Sequence, residues 1–178
     1  MDKGFTIIEM VISIFILSVA VIVIFGSFSL MVILSSDAED RLTATYLAQE
    51  GVEIIRNLRD ANWLSSSSNP GYIAWDYGLS YCASSIGCEV DYKTTGFDSS
   101  PVYPWQERFL RINNDSNFFE YESGTETKFK RKITIDNTLA PHILKIKVEV
   151  FWNKRPSILD HTGSVGIIEV EDILYDWY

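Results

Sequence analysis

Met1-Asp2-Lys3-Gly4-Phe5-Thr6-Ile7-Ile8-Glu9-Met10 leads straight into a run, Met10 to Ser36, that carries no charged side chain. At about 1.5 Å per helical residue the run is roughly 40 Å long, more than a bilayer's hydrocarbon core needs. It holds no proline and is rich in Ile, Val, Phe and Leu. A secretory signal peptide has a positive start, a short apolar stretch and a small-residue cleavage site behind it. Here the segment ahead of the run is Met1-Asp2-Lys3-Gly4, and no Ala-x-Ala site follows. The helix is therefore expected to stay on the mature protein as a single membrane span. Lys3 stands before the run, offset by Asp2, while Asp37, Glu39, Asp40 and Arg41 follow it. The bias is weak, but it favours an inside amino terminus and an extracytoplasmic carboxyl-terminal part.

Glu9 breaks the apolar pattern. An unpaired carboxylate at a membrane end costs several kcal/mol, so such a residue usually has a task. It lies four residues after Phe5, about one helical turn. A cut between Gly4 and Phe5 would place a new ammonium about one turn from that carboxylate. The ammonium could neutralise Glu9 in its own chain or in a neighbour, and a negative charge in the first turn suits the helix dipole.

Lys3-Gly4-Phe5-Thr6-Ile7-Ile8-Glu9-Met10 before an apolar run resembles the type IV prepilin signal. The resemblance implies cleavage between Gly4 and Phe5 by a prepilin peptidase, N-methylation of Phe5, and an assembly role for Glu9 opposite the amino terminus of an adjoining subunit. Many major pilins carry a proline that bends this helix; here Gly26 stands in the run. Either Gly26 permits local unwinding, or its small side chain permits close helix packing.

Past Ser36 the pattern changes. Leu47, Gly51, Ile54, Ile55 and Leu58 recur at helical intervals, with Glu50, Glu53, Arg56 and Asp60 opposite. One long helix is predicted, apolar first and amphipathic second, ending near Asn62. Tyr46 to Glu53 resembles the same part of minor pilins and of I-type minor pseudopilins of type II secretion. The expected order is a leader at 1–4, a membrane or filament-core half at 5–36, an amphipathic half at 37–62, an aromatic connecting region at 63–127 and a head sheet at 128–178.

Ser65 to Ser68 and Asn69-Pro70-Gly71 read as loop and turn signals. Trp63, Tyr72, Trp75, Tyr77, Tyr81 and further aromatics show no periodicity, so a long loop packed down by aromatics is expected. Gln106 to Asn113 reads as a short strand, and Phe118 to Glu122, Ser123-Gly124 and Lys128 onward as a hairpin. Beyond it, Phe129, Arg131, Ile133 and Ile135 share one face of a strand. Leu144, Ile146, Val148, Val150 and Trp152 do the same in the next, and Val165 to Glu171 is a third β-rich run. The fold class is α+β: a long amino-terminal helix on a carboxyl-terminal antiparallel meander, pilin-like.

Composition agrees with one such domain. The chain has 178 residues, 47% hydrophobic and 22% charged, so a sizeable core is affordable. Its net charge of -9 makes nucleic acid a poor default partner. Cys82 and Cys88 are the two cysteines, at a spacing unsuited to zinc, with His142 and His161 far off in sequence. They form a short-loop disulfide if the domain is exported, or two thiols in a reducing compartment.

The search for catalysis is brief. Asp160-His161-Thr162-Gly163-Ser164 puts acid, base and nucleophile in a row, but loop neighbours do not face one another as a triad does. No phosphate loop, paired-histidine metal motif or CxxC is present, so neither an enzyme nor a cofactor is expected. Lys128, Lys130, Lys132, Lys145 and Lys147 suggest a solvated basic strand face, or one that meets Glu39 or Glu50 of a neighbour. Glu169, Glu171, Asp172 and Asp176 lack calcium-loop spacing, so a final strand or turn is expected there.

The resemblance implies a structural minor subunit of a type IV pilus or a type II secretion-like pseudopilus. Its partners would be the membrane, a prepilin peptidase, other pilins or pseudopilins and the inner-membrane assembly platform. The rival is a bitopic membrane-anchored binding protein that never enters a filament. Only the first requires Gly4, Phe5 and Glu9 at these spacings.

Overall fold

The computed structural model describes residues 4, 6–68, 74–82, 86–95, 103–140, 142–154 and 164–176, and within these omits the side chains of 66–68, 139 and 140. The chain forms two compact units, Met1–Asp40 and Arg41–Tyr178. Helix α1, Ile7–Ser68, contributes to both.

In the first unit α1 carries the charge-free run, and every described residue from Ile7 to Ser35 is exposed. Its serines do not leave hydroxyls idle. Ser13, Ser18, Ser27 and Ser29 donate to the carbonyls of Glu9, Phe15, Val23 and Phe25 at 2.7–3.2 Å. A hydroxyl satisfied by its own helix needs no water, which an apolar surrounding requires. The helix continues without interruption through Gly26, around which no non-local atom lies within 4 Å.

The second unit is an α+β domain. The rest of α1 packs on a five-stranded antiparallel sheet in the order β2-β1-β6-β7-β8. Its long strands form a meander: β6 Phe129–Ala140, β7 Ile143–Asn153 and β8 Val165–Tyr175. β1 Cys88–Glu89 and β2 Tyr103–Pro104 extend it on the β6 side. Strand β7 is read by its period of two. Leu144, Ile146, Val148, Val150 and Trp152 are buried, and the residues between them are half-buried. From the helix come Ala44, Leu47, Ala48, Val52, Ile55 and Leu58, all at most 5% exposed. Gly51 makes the approach close, because a Cβ there would stand 3.0 Å from Val148 Cγ1 and 3.2 Å from Arg131 Cδ.

Three expectations are corrected here. The helix ends at Ser68 and not near Asn62. Serine continues a helix when its hydroxyl bonds back to the preceding turn, as Ser65 does to Ala61 at 2.8 Å, and Pro70 is the nearest true stop signal. Asn62, instead of ending the helix, donates from its amide to the carbonyls of Trp75 and Tyr77 at 3.2 and 2.9 Å. The second correction concerns the hairpin that was to join 118–122 to the strand from Lys128. β6 pairs with β7 and meets β1 at Ile133, and its Phe129 carbonyl is taken by Leu110 N. β4 Phe119–Glu120 and β5 Thr125–Glu126 instead flank β3 Arg111–Ile112 in a separate small sheet. So 63–127 holds more than a loop, and the strand expected over Gln106 to Asn113 shrinks to β3.

Candidate functional site

The first candidate is the start of α1. Thr6 stands where an N-cap belongs, and Glu9 N donates to its Oγ1 at 3.4 Å. Thr6 Oγ1 in turn donates to Glu9 Oε2 at 3.4 Å, while Met10 N closes the first helical bond on Thr6 O at 3.2 Å. Thr6 therefore caps the helix through the Glu9 N–H, which is half of a capping box; the Glu9 carboxylate meets the Thr6 hydroxyl instead of its backbone N–H. The spacing was legible in the sequence, though Glu9 was read there only for its charge. Gly4 is exposed and lies outside the helix. Phe5 lies outside the described residues, so the expected cleavage and methylation point has no geometry here. Beyond Glu9, Phe15, Ile22, Phe25 and Met31 are each 67–70% exposed. The helix is long and apolar enough to cross a membrane. An apolar surface on all sides of a helix is stable only under lipid or against other apolar helices.

Cys82 and Cys88 are joined as a disulfide and fully buried. They tie the end of a short 3-10 helix, Leu79–Cys82, to β1. The alternative of two thiols is set aside for this structure.

Three charges of the head, Arg131, Glu89 and Glu120, are at most 1% exposed, and their partners fix its loops. Arg131, fully buried, donates from Nη1 to Leu47 O at 3.0 Å and from Nη2 to Val90 O at 2.7 Å, with Glu50 Oε1 at 3.4 Å. Glu89 accepts from the backbone N–H groups of Gln106 and Arg108 at 3.0 and 3.1 Å and from Arg108 Nε at 2.6 Å. Glu107, between those two N–H groups, has φ 60°. That left-handed residue turns both donors onto one oxygen, an anion nest filled from within the chain. Glu120 is fully buried, with Lys93 Nζ at 2.5 Å, Asn113 Nδ2 and Tyr92 Oη at 3.2 Å, and the Ser123 hydroxyl in contact. Lys93 and then Ser123 hold its carboxyl down at about 2 against the opposing effect of burial. Burial pushes the Tyr121 phenol up; its hydroxyl donates to Arg131 O at 3.1 Å. Sequence reading missed all three charges. Only Arg131 left a signal, as the one charge in the inward register with Phe129, Ile133 and Ile135.

The five lysines do not form one basic stripe. Lys145 meets Glu171 at 2.7 Å, and Lys147 meets Glu169 and Glu149 at 2.8 and 3.2 Å. Glu169 and then Glu149 raise the Lys147 ammonium above its ordinary range. Lys128, Lys130 and Lys132 instead line a groove with Trp105, Phe109 and Phe151. Glu50 is engaged with Arg131. The acidic tail is likewise spread out. Asp172 meets Arg56 at 2.9 Å and Asp176 meets His142 at 3.1 Å. No group of three or more metal-ligating side chains forms among the described residues. Residues 160–163 of the Asp160-to-Ser164 row lie outside the described residues.

The chain matches no family model, no curated protein and no solved structure. The protein has an apolar amino-terminal helix long enough to span a membrane, followed by an α+β head with a buried disulfide.

Proposed function

We propose that the chain is a structural, non-enzymatic minor subunit of a type IV pilus or type II secretion-like pseudopilus. One observation carries the reading: Gly4 and Phe5 stand at prepilin spacing ahead of Glu9, which lies in the first turn of a helix whose following run is charge-free. The precursor inserts with its amino terminus inside, and a prepilin peptidase removes Met1 to Gly4 and methylates Phe5. Glu9 then meets the freed ammonium of an adjoining subunit as the helix passes from lipid into the filament, guided by the inner-membrane assembly platform. Charge pairing is strong in that low-dielectric surrounding, and helix packing supplies the rest. The capping pair with Thr6 supports the reading, because it keeps the carboxylate at the helix start.

The test is intact mass and amino-terminal sequencing of membrane-extracted protein, co-expressed with and without a prepilin peptidase. Peptidase-dependent loss of Met1 to Gly4 with one added methyl group is expected. Retention of Met1 beside a competent peptidase control would sink the filament reading and leave a bitopic binding protein.

A further inference from the structure

The outer face of the sheet carries an open groove of about 380 Å³. One wall is the segment from Trp105 to Phe109, and β6 and β7 supply Lys130, Lys132, Glu149 and Phe151. The wall is built in place. The buried Glu89 holds the N–H groups of Gln106 and Arg108. Trp105 N donates to Gly87 O at 3.1 Å, and Leu110 N to Phe129 O at 2.8 Å. Glu107, whose left-handed backbone serves the nest around Glu89, lines the groove.

The lining alternates ammonium and aromatic groups. Lys130 Nζ stands 4.6 Å from the Phe109 ring centre and Lys132 Nζ 6.0 Å from that of Trp105. The Trp105 and Phe151 rings lie 6.0 Å apart at 42°. Lys132 makes no ion pair among the described residues. Lys130 reaches Glu107 only at 3.4 Å. Two carboxylates, Glu107 and Glu149, and the Asn153 amide complete the polar lining.

We propose that this groove binds an acidic oligosaccharide of the uronic-acid type. Such a ligand uses the cationic, acceptor and aromatic groups together. Its carboxylates take charge-assisted bonds from the lysines, and its hydroxyls donate to Glu107 and Glu149. The C–H faces of its rings lie on Trp105 and Phe151. A nucleic-acid strand fits less well. Both ligands are anionic, but a DNA backbone only accepts hydrogen bonds and has no hydroxyl to offer Glu107 and Glu149. The assignment rests on the head alone and holds whether or not the chain enters a filament.

The experiment titrates the full chain in detergent micelles with tetragalacturonate, following tryptophan fluorescence. A saturable change that weakens with salt is expected. Lys132→Gln should weaken binding about tenfold, as loss of one charge-assisted contact does. Lys145→Gln, on the same face but outside the groove, should leave it unchanged. Trp105→Phe should remove most of the fluorescence change, and if that variant does not fold, Lys132→Gln decides alone. No saturable response in the millimolar range, or equal loss in the two lysine variants, overturns the proposal. So does octathymidylate binding as tightly with the same Lys132 dependence, which would make the groove a nucleic-acid site.

Discussion

Arg131 sits on the inward face of β6 between Phe129 and Ile133, and its guanidinium spans from the Leu47 carbonyl of the helix to the Val90 carbonyl beside β1. Leu47 lies one helical turn before Gly51, the residue whose missing Cβ lets α1 come this close. Arg131→Met should cost about 1–3 kcal/mol, the price of leaving the Val90 carbonyl unbonded. Arg131→Ala adds a cavity and should cost about 3–5 kcal/mol. Urea unfolding of the full chain in micelles ranks the two; equal losses would mean that packing volume contributes nothing here. At Gly51, alanine should be nearly neutral, since about 1 kcal/mol of helix propensity offsets a crowded contact. Leucine has no such room and should destabilise by about 2 kcal/mol or more. Glu120 makes stability depend on acid. Its carboxyl is held at about 2 against an ordinary 4.5, so its contribution is complete above pH 4.5 and fades as pH falls through about 2. Comparing wild type with Glu120→Gln from pH 6 to pH 2 isolates that window; parallel curves would refute it.

At the scale of elements, α1 is one helix with two solvents. Its first part satisfies its serine hydroxyls internally, and its second part presents a stripe to the sheet. Gly26 lies in the first part and remains helical. The local unwinding that its sequence allowed is not seen in this structure, and no packing neighbour lies within 4 Å. Gly26→Ala should therefore raise helix stability by about 1 kcal/mol. Circular dichroism in micelles on heating checks this, and a loss of helicity would contradict it. The disulfide acts on a different element, pinning the 3-10 helix beside β1. A loop this short restricts the unfolded chain by roughly 2 kcal/mol in the entropy model. Cys82→Ser with Cys88→Ser should lower the unfolding free energy by that amount in urea titrations, and reduction of the wild type should reproduce it.

For the whole molecule, the assembly reading turns on one carboxylate. Glu9→Ala should leave peptidase processing largely intact while lowering the number of subunits recovered in sheared filaments. Unchanged counts would remove Glu9 from assembly and leave only its favourable charge in the first turn, worth about 0.3–1 kcal/mol.

Much of this architecture was legible in the residues themselves. A charge-free run of helical length, a 3.6-residue stripe from Leu47 to Leu58 and two-residue alternation in β6 and β7 are local patterns. Local patterns name helices and strands because each face has one solvent. The α+β class and the meander followed from them. The helix end did not, because a serine run reads as a loop unless hydroxyls bond back to the preceding turn, as Ser65 does. The small sheet around Arg111 and the extension by β1 and β2 did not either, because strand pairs of two residues leave no periodicity. The same holds for the candidate sites. Gly4, Phe5 and Glu9 could be named from spacing along one stretch of chain. Arg131, Glu89 and Glu120 could not, since their partners lie 17 to 84 residues away or in loops without a pattern. Burial of a charge depends on what the rest of the chain brings to it, and only folding brings Leu47 to Arg131 or Gln106 to Glu89.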